Sequence, residues 1–122
     1  MELLEKELTE KIIAACIEVS NELGPGFLES LYEKALLIAL AEKGLTAQAQ
    51  VPLRVQFRNR VVGEFYADIL VEGRVIVELK AAKALTGEHE AQLLNYLKAT
   101  GMKVGLLVDF GRPRLEWKRL VF

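Results

Sequence analysis

Residues 62–80, VGEFYADILVEGRVIVELK, constrain this chain more than any other stretch. Apolar and polar residues alternate with period two, break at Glu72-Gly73, then alternate again, which is the pattern of a β-hairpin. Phe65, Ala67, Ile69 and Val71 form one apolar face of the first strand; Val75, Val77 and Leu79 form one of the second. Opposed residues in an antiparallel pair share a face. A two-residue turn would set Asp68 against Val77 and mix the two sets. A three-residue loop, Glu72-Gly73-Arg74, opposes Val71 to Val75, Ile69 to Val77, Asp68 to Glu78 and Tyr66 to Lys80. A slip of one residue turns every side chain over, so the apolar sets select the second register. That register gathers Asp68, Glu78 and Lys80 on one face, with Leu70 and Ile76 beside them.

Two adjacent carboxylates repel, and a neighbouring lysine or a bound cation relieves the repulsion. Asp and Glu oxygens suit a hard cation such as magnesium. The competing reading is a solvated strand face with a surface ion pair.

The remaining chain supplies the frame. Its 122 residues suffice for one domain, 1–122, with a real core. No apolar run approaches membrane-span length, so no membrane role is expected. The acidic, amphipathic start MELLEKELTEK does not fit a secretion signal. The single cysteine, Cys16, excludes an internal disulfide and a cysteine zinc site; its helical position reads as a small buried apolar residue, and a reducing cytoplasm is the expected compartment. A net charge of −1 argues against a protein that coats nucleic acid broadly. The charge is uneven: residues 1–50 hold four Lys/Arg against nine Asp/Glu, the rest twelve against eight. The second part can therefore carry a modest basic patch, unless the imbalance only reflects a Glu-rich first helix.

Leu4, Leu8, Ile12, Ala15, Val19 and Leu23 make one stripe of a helix over residues 3–23, stopped at Gly24-Pro25-Gly26. A second helix spans about Leu28 to Lys43, closed by Gly44. Glu29 and Tyr32 share one side of its first turns, and periodicity alone makes Glu29 a first-turn acid favoured by the helix dipole. Residues 51–57 alternate as a strand, with Pro52 pointing to an edge or a strand start. Arg58-Asn59-Arg60 turns into the hairpin, as a solvated tip or a phosphate contact. Thr86 is a plausible N-cap for a third helix from about Glu88 to Thr100, followed by Gly101. His89, Gln92 and Tyr96 lie on one face of it, which by itself reads as a polar flank. Residues 104–110 form a buried apolar strand and 115–122 a final alternating one. Asp109-Phe110-Gly111 spells the kinase DFG triplet by coincidence, since no phosphate loop or kinase catalytic loop accompanies it.

Two sets of residues carry a resemblance. Asp68 on one strand with Glu78-Leu79-Lys80 on the next resembles the PD-(D/E)XK nuclease signature, a weak motif alone. Gly26-Phe27-Leu28-Glu29-Ser30-Leu31-Tyr32, with Asn21-Glu22-Leu23-Gly24-Pro25 before it and Glu33-Lys34-Ala35-Leu36 after it, closely resembles the GxxExxY protein family, a small branch of that superfamily. The likeness runs over nearly the whole chain. It implies an α+β sandwich, with a restriction-endonuclease-like αβββαβ core around a mixed sheet and an extra N-terminal helix. It implies Asp68, Glu78 and the Leu79 carbonyl as magnesium ligands, with manganese able to substitute, and Glu29 as a further acid reaching the metal or its water. Lys80 is then the catalytic lysine, with Gln92 and Tyr96 bracing it or touching substrate; His89 is a weaker candidate. Two departures stand out: Ser20 where members often carry histidine, and Asp109 where they usually carry asparagine. The implied activity is magnesium-dependent hydrolysis of nucleic acid, DNA first, as an endo- or exonuclease. The alternative is an inactive nucleic-acid-binding or protein-interaction module on the same fold; a third reading is a small enzyme acting on nucleotides. Further surface for a duplex would come from a homodimer or a partner protein.

Overall fold

The structure, a computed structural model, describes residues 4–122. Its elements follow in order: α1 (Lys6–Leu23), α2 (Glu29–Glu42), β1 (Ala47–Phe57), β2 (Arg60–Val71), β3 (Val75–Lys80), α3 (Gly87–Thr100), β4 (Val104–Asp109) and β5 (Glu116–Val121). The strands form one mixed sheet in the order β1-β2-β3-β4-β5. All neighbours are antiparallel except β3 and β4, which α3 links as a parallel crossover. The α+β architecture expected from the sequence is the one found. The expected start of the first helix at residue 3 lies outside the described residues.

Helices cover both faces of the sheet. On one, the α1 stripe Leu8, Ile12, Ala15, Cys16 and Val19 and the α2 residues Tyr32, Leu36 and Leu40 pack on Ile69, Val77, Leu79, Leu106 and Val108. On the other, Leu93 and Leu97 of α3 pack on Leu53, Ala67, Ile76 and Leu107. Gly105 in β4 lets α3 come close, since a Cβ there would meet Leu93 Cδ1 at 2.9 Å. Cys16 is fully buried, and burial pushes its thiol up to about 12, so it acts as a small apolar residue.

The hairpin register is the expected one: Val71 pairs with Val75 and Ile69 with Val77 across the loop Glu72-Gly73-Arg74. The ladder stops there, so Tyr66 does not come to face Lys80; it is exposed, and its hydroxyl bonds Glu64 Oε1 at 3.1 Å. The pairing of β1 with β2 also skips one step, between Ala49↔Ile69 and Val51↔Ala67, where Gln50 takes φ 53°. The apolar face expected to run from Phe65 to Val71 divides at this step. Ile69 and Val71 join the α1/α2 core, whereas Phe65 and Ala67 join the α3 core. Asp68 therefore sits where backbone pairing lapses on both sides.

β1 begins four residues before the expected Val51. Ala47-Gln48-Ala49-Gln50 lacks β-branched residues, and pairing with Ile69, Leu70 and Val71 recruits it. β1 is an edge strand, as Pro52 indicated. β1 and β2 run well past β3, so their far ends, joined at Arg58-Asn59, form a two-stranded ribbon.

Candidate metal and nucleic-acid site

Asp68 and Glu78 occupy the gap where β2 and β3 part. The Asp68 N–H donates to Glu78 Oε1 at 3.1 Å, and the Leu79 N–H donates to Asp68 Oδ2 at 2.8 Å. Each carboxylate thus takes over a backbone group of the opposite strand, so the lost ladder leaves these two donors paired. Glu78 is only 4% exposed. Burial first, then the charge of Asp68, raises its carboxyl to about 8; the Asp68 N–H and, more weakly, Lys80 pull the other way. At neutral pH Glu78 therefore tends to keep its proton. A divalent cation relieves the same repulsion better, and Asp68 Oδ1 and Glu78 Oε2 are the oxygens not engaged by these two backbone donors. Two hard, mutually repelling carboxylates fit such an ion.

α3 forms the opposite wall. Lys80 Nζ donates to Gln92 Oε1 at 3.3 Å, so the ammonium is held from the helix rather than by a direct ion pair with either carboxylate. One turn further, Tyr96 stacks on Phe65 with ring centroids 3.8 Å apart. Burial and the charges of Glu78 and Asp68 raise the Tyr96 hydroxyl, and Gln92 opposes them. Asp68, Glu78, Lys80, Gln92 and Tyr96 are thus brought together.

Glu29 is not brought into this set. It is the first residue of α2 and exposed. Among the described residues no three Asp, Glu, His or Cys side chains come close enough to hold one ion. Yet α2 starts at the correct end of the sheet: Tyr32 stacks on Phe110 at 4.8 Å, and the Phe110 N–H donates to the Lys80 carbonyl at 2.8 Å. Tyr32 itself is fully buried, its hydroxyl donating to the Gly24 carbonyl and accepting from the Phe27 N–H at 3.3 Å. The tyrosine of the G-x-x-E-x-x-Y stretch thus ties down the Gly-Pro-Gly turn. Ser20 is buried in α1, and its carbonyl accepts from the Gly24 N–H at 2.9 Å.

His89 has a capping role. Its N–H donates to Thr86 Oγ1 at 3.3 Å, and its Nδ1 accepts from the Thr86 N–H at 3.1 Å, which closes a capping box at the start of α3. Asp109, part of the coincidental DFG, is fully buried. Its Oδ1 accepts from the N–H groups of Ala82 at 3.0 Å and Gly111 at 2.9 Å, while Oδ2 has no partner. A Cβ at Gly111 would run into the Ala82 backbone. Asp109 and Gly111 therefore clasp the chain just after Lys80. Period-two reasoning could only class Asp109 as an oddity in an apolar run, because one of its donors, Ala82, comes from a turn 27 residues away. Phe65 was legible as apolar, but not as the ring that seats Tyr96.

The model of the PD-(D/E)XK nuclease superfamily matches residues 6–120. The chain belongs to the PD-(D/E)XK nuclease superfamily. The solved structure of SSO0001 shares this superfamily member's fold with a TM-score of 0.60 at 21% identity. The alignment covers 96% of this chain and 58% of that one, so this chain spans a little over half of that protein's length. No curated protein matches the sequence. Nucleases of that superfamily generally use divalent metals. Among the described residues no helix is long and apolar enough to cross a membrane.

Proposed function

We propose that this chain is a metal-dependent nuclease of the GxxExxY branch that hydrolyses phosphodiester bonds in DNA, in the cytoplasm, with Mg²⁺ as the ion and Mn²⁺ able to replace it. The observation that carries the reading is the reciprocal placement of Asp68 and Glu78 across the split between β2 and β3. Held by Asp68, Glu78 and the Leu79 carbonyl, the ion would supply a Lewis acid for the attacking water and the phosphate. Lys80 orients that water and offsets the negative charge that grows on the phosphate as the water oxygen bonds to phosphorus. The attacking water gives up one proton, the bond to the departing oxygen breaks, and that oxygen takes up a proton, so that one water is consumed. Gln92 keeps Lys80 directed at the reacting group and Tyr96 closes the wall beside it, while Glu29, exposed at the start of α2, stands outside the acidic pair.

Cleavage of plasmid and oligonucleotide DNA with Mg²⁺ or Mn²⁺ tests this. Activity is expected in the parent and lost in Asp68→Ala and Lys80→Ala; activity unchanged in either variant rejects the assigned role. A second reading is supported by the exposed Glu29 and by a net charge of only −1: a binding module that keeps the fold without cutting. Calorimetry with Mn²⁺ separates the two, because the nuclease takes up the ion and the module need not.

A further inference from the structure

A groove of about 710 Å³ opens between β1 and α3, lined among others by Arg54, Gln56, Phe65, Asn95, Tyr96 and Lys98. That volume lies within the usual span of small-ligand sites, roughly 300–1,000 Å³. Two local features build it. The β1–β2 register shifts between Val55 and Gln56, so that Val55 pairs with Gly63 but Gln56 with Val61. Such a bulge re-aims side chains, and successive residues of β1 here line the same groove. On the helix, Asn95, Lys98 and Ala99 fall at i, i+3 and i+4, which share one face.

The groove adjoins the carboxylate pair. Tyr96 lines it, stands one helical turn after the Gln92 that holds Lys80, and stacks on Phe65 of the strand that bears Asp68, so one ring is the common wall. The chemistry of the lining is selective in kind. A stacked Phe65–Tyr96 pair offers aromatic surface. Gln56 and Asn95 offer amides that both donate and accept. Arg54 and Lys98 offer two cations, with Glu64, 3.8 Å from Arg54, as the opposing acid. Aromatic surface, amides and cations together match a base, its polar edge and its phosphate.

We infer that this groove is a nucleotide subsite, taking one unpaired nucleotide of a single-stranded segment that flanks the phosphate at the carboxylate pair. The base lies against the Phe65–Tyr96 stack, the Gln56 and Asn95 amides meet its edge, and Arg54 and Lys98 meet the phosphate. An unpaired nucleotide is required because a base stacked inside a duplex cannot present its face to a side pocket. The assignment deepens the nuclease reading and rests on it for the position of the reacting phosphate.

The test is fluorescence anisotropy with short labelled single strands of DNA and of RNA, and with the matching duplex, in Ca²⁺ so that cutting does not intervene. The full chain is compared with a Gln56→Ala/Asn95→Ala variant and with Lys98→Ala, each checked by thermal melting. Single strands are expected to bind more tightly than duplex, and the double variant to lose roughly tenfold in affinity for them. Lys98→Ala is expected to lower the salt slope of binding by about one, and Mn²⁺ uptake by calorimetry to stay as in the parent. The DNA and RNA arms tell which sugar is accepted. Duplex preference, or single-strand affinity untouched in the double variant, overturns the subsite. Should the parent cut nothing and take up no Mn²⁺ while the double variant still loses single-strand binding, the nuclease reading fails and the subsite stands.

Discussion

Glu78 is buried, hydrogen-bonded and next to another acid, and these pulls fix how the site answers to pH. Its carboxyl rises from 4.5 to about 8 in the folded chain. Between those values the folded state holds a proton that the unfolded chain has released, so stability falls as pH rises through this window and is greatest below it. The metal-free protein is expected to melt lower at pH 8.5 than at pH 5, reflecting a loss of stability on the order of a few kcal/mol. Glu78→Gln should flatten that slope, and Mn²⁺ should restore stability at the alkaline end, because the carboxylate is already ionised there and takes the ion without competition from a proton. Thermal melts across pH, with and without the ion, check all three. Lys80 is held by Gln92 rather than by an acid. Lys80→Ala should therefore leave Mn²⁺ affinity near that of the parent, while DNA cleavage drops by roughly 10²–10³-fold, the usual loss for one charge-stabilising donor.

Each side of the site depends on an element end that is pinned separately. At α3 the pin is the Thr86–His89 box. His89→Ala is expected to cost about 1 kcal/mol in urea denaturation, the usual value of a cap, with DNA cleavage by the folded protein kept; a catalytic histidine would lose cleavage without that cost in stability. At the ends of β3 and β4 the pin is Asp109, which satisfies two backbone donors with one oxygen. Asp109→Ala leaves both donors without a partner and should cost on the order of 2–3 kcal/mol. Asp109→Asn keeps an accepting oxygen and should cost less. Both variants are read by urea denaturation, and cleavage by Asp109→Ala should fall with the clasp, since Lys80 lies just before it.

At the scale of the molecule, the long β1–β2 ribbon overhangs the short β3 and carries Arg54, Arg58 and Arg60, with Arg58 lying 4.8 Å from the centre of the Phe57 ring. Phe57, Val61 and Val62 are exposed on the same ribbon. Charge reversal at the tip, Arg58→Glu with Arg60→Glu, is expected to weaken DNA binding at low salt and to reduce the salt dependence by about two phosphate contacts. A titration of binding against salt concentration measures it.

The chain's own pattern determined the three helices, the strands, the hairpin register and the meeting of Asp68 with Glu78. Each of these rests on local periodicity or on pairing between neighbours in sequence, which a one-residue slip would destroy. Thr86 and Gly101 were legible for the same reason, as caps that act within a single turn. Tertiary structure alone decided where Glu29 stands, because the reach of a helix-borne acid depends on how two layers are offset, and no spacing encodes that offset. It also decided that the Phe65–Val71 face divides at Asp68, that Asp109 serves a turn 27 residues away, and that β1 and α3 enclose a groove. Those outcomes depend on which distant groups are left without partners once the core has closed, and burial makes such groups pair with whatever the fold sets beside them.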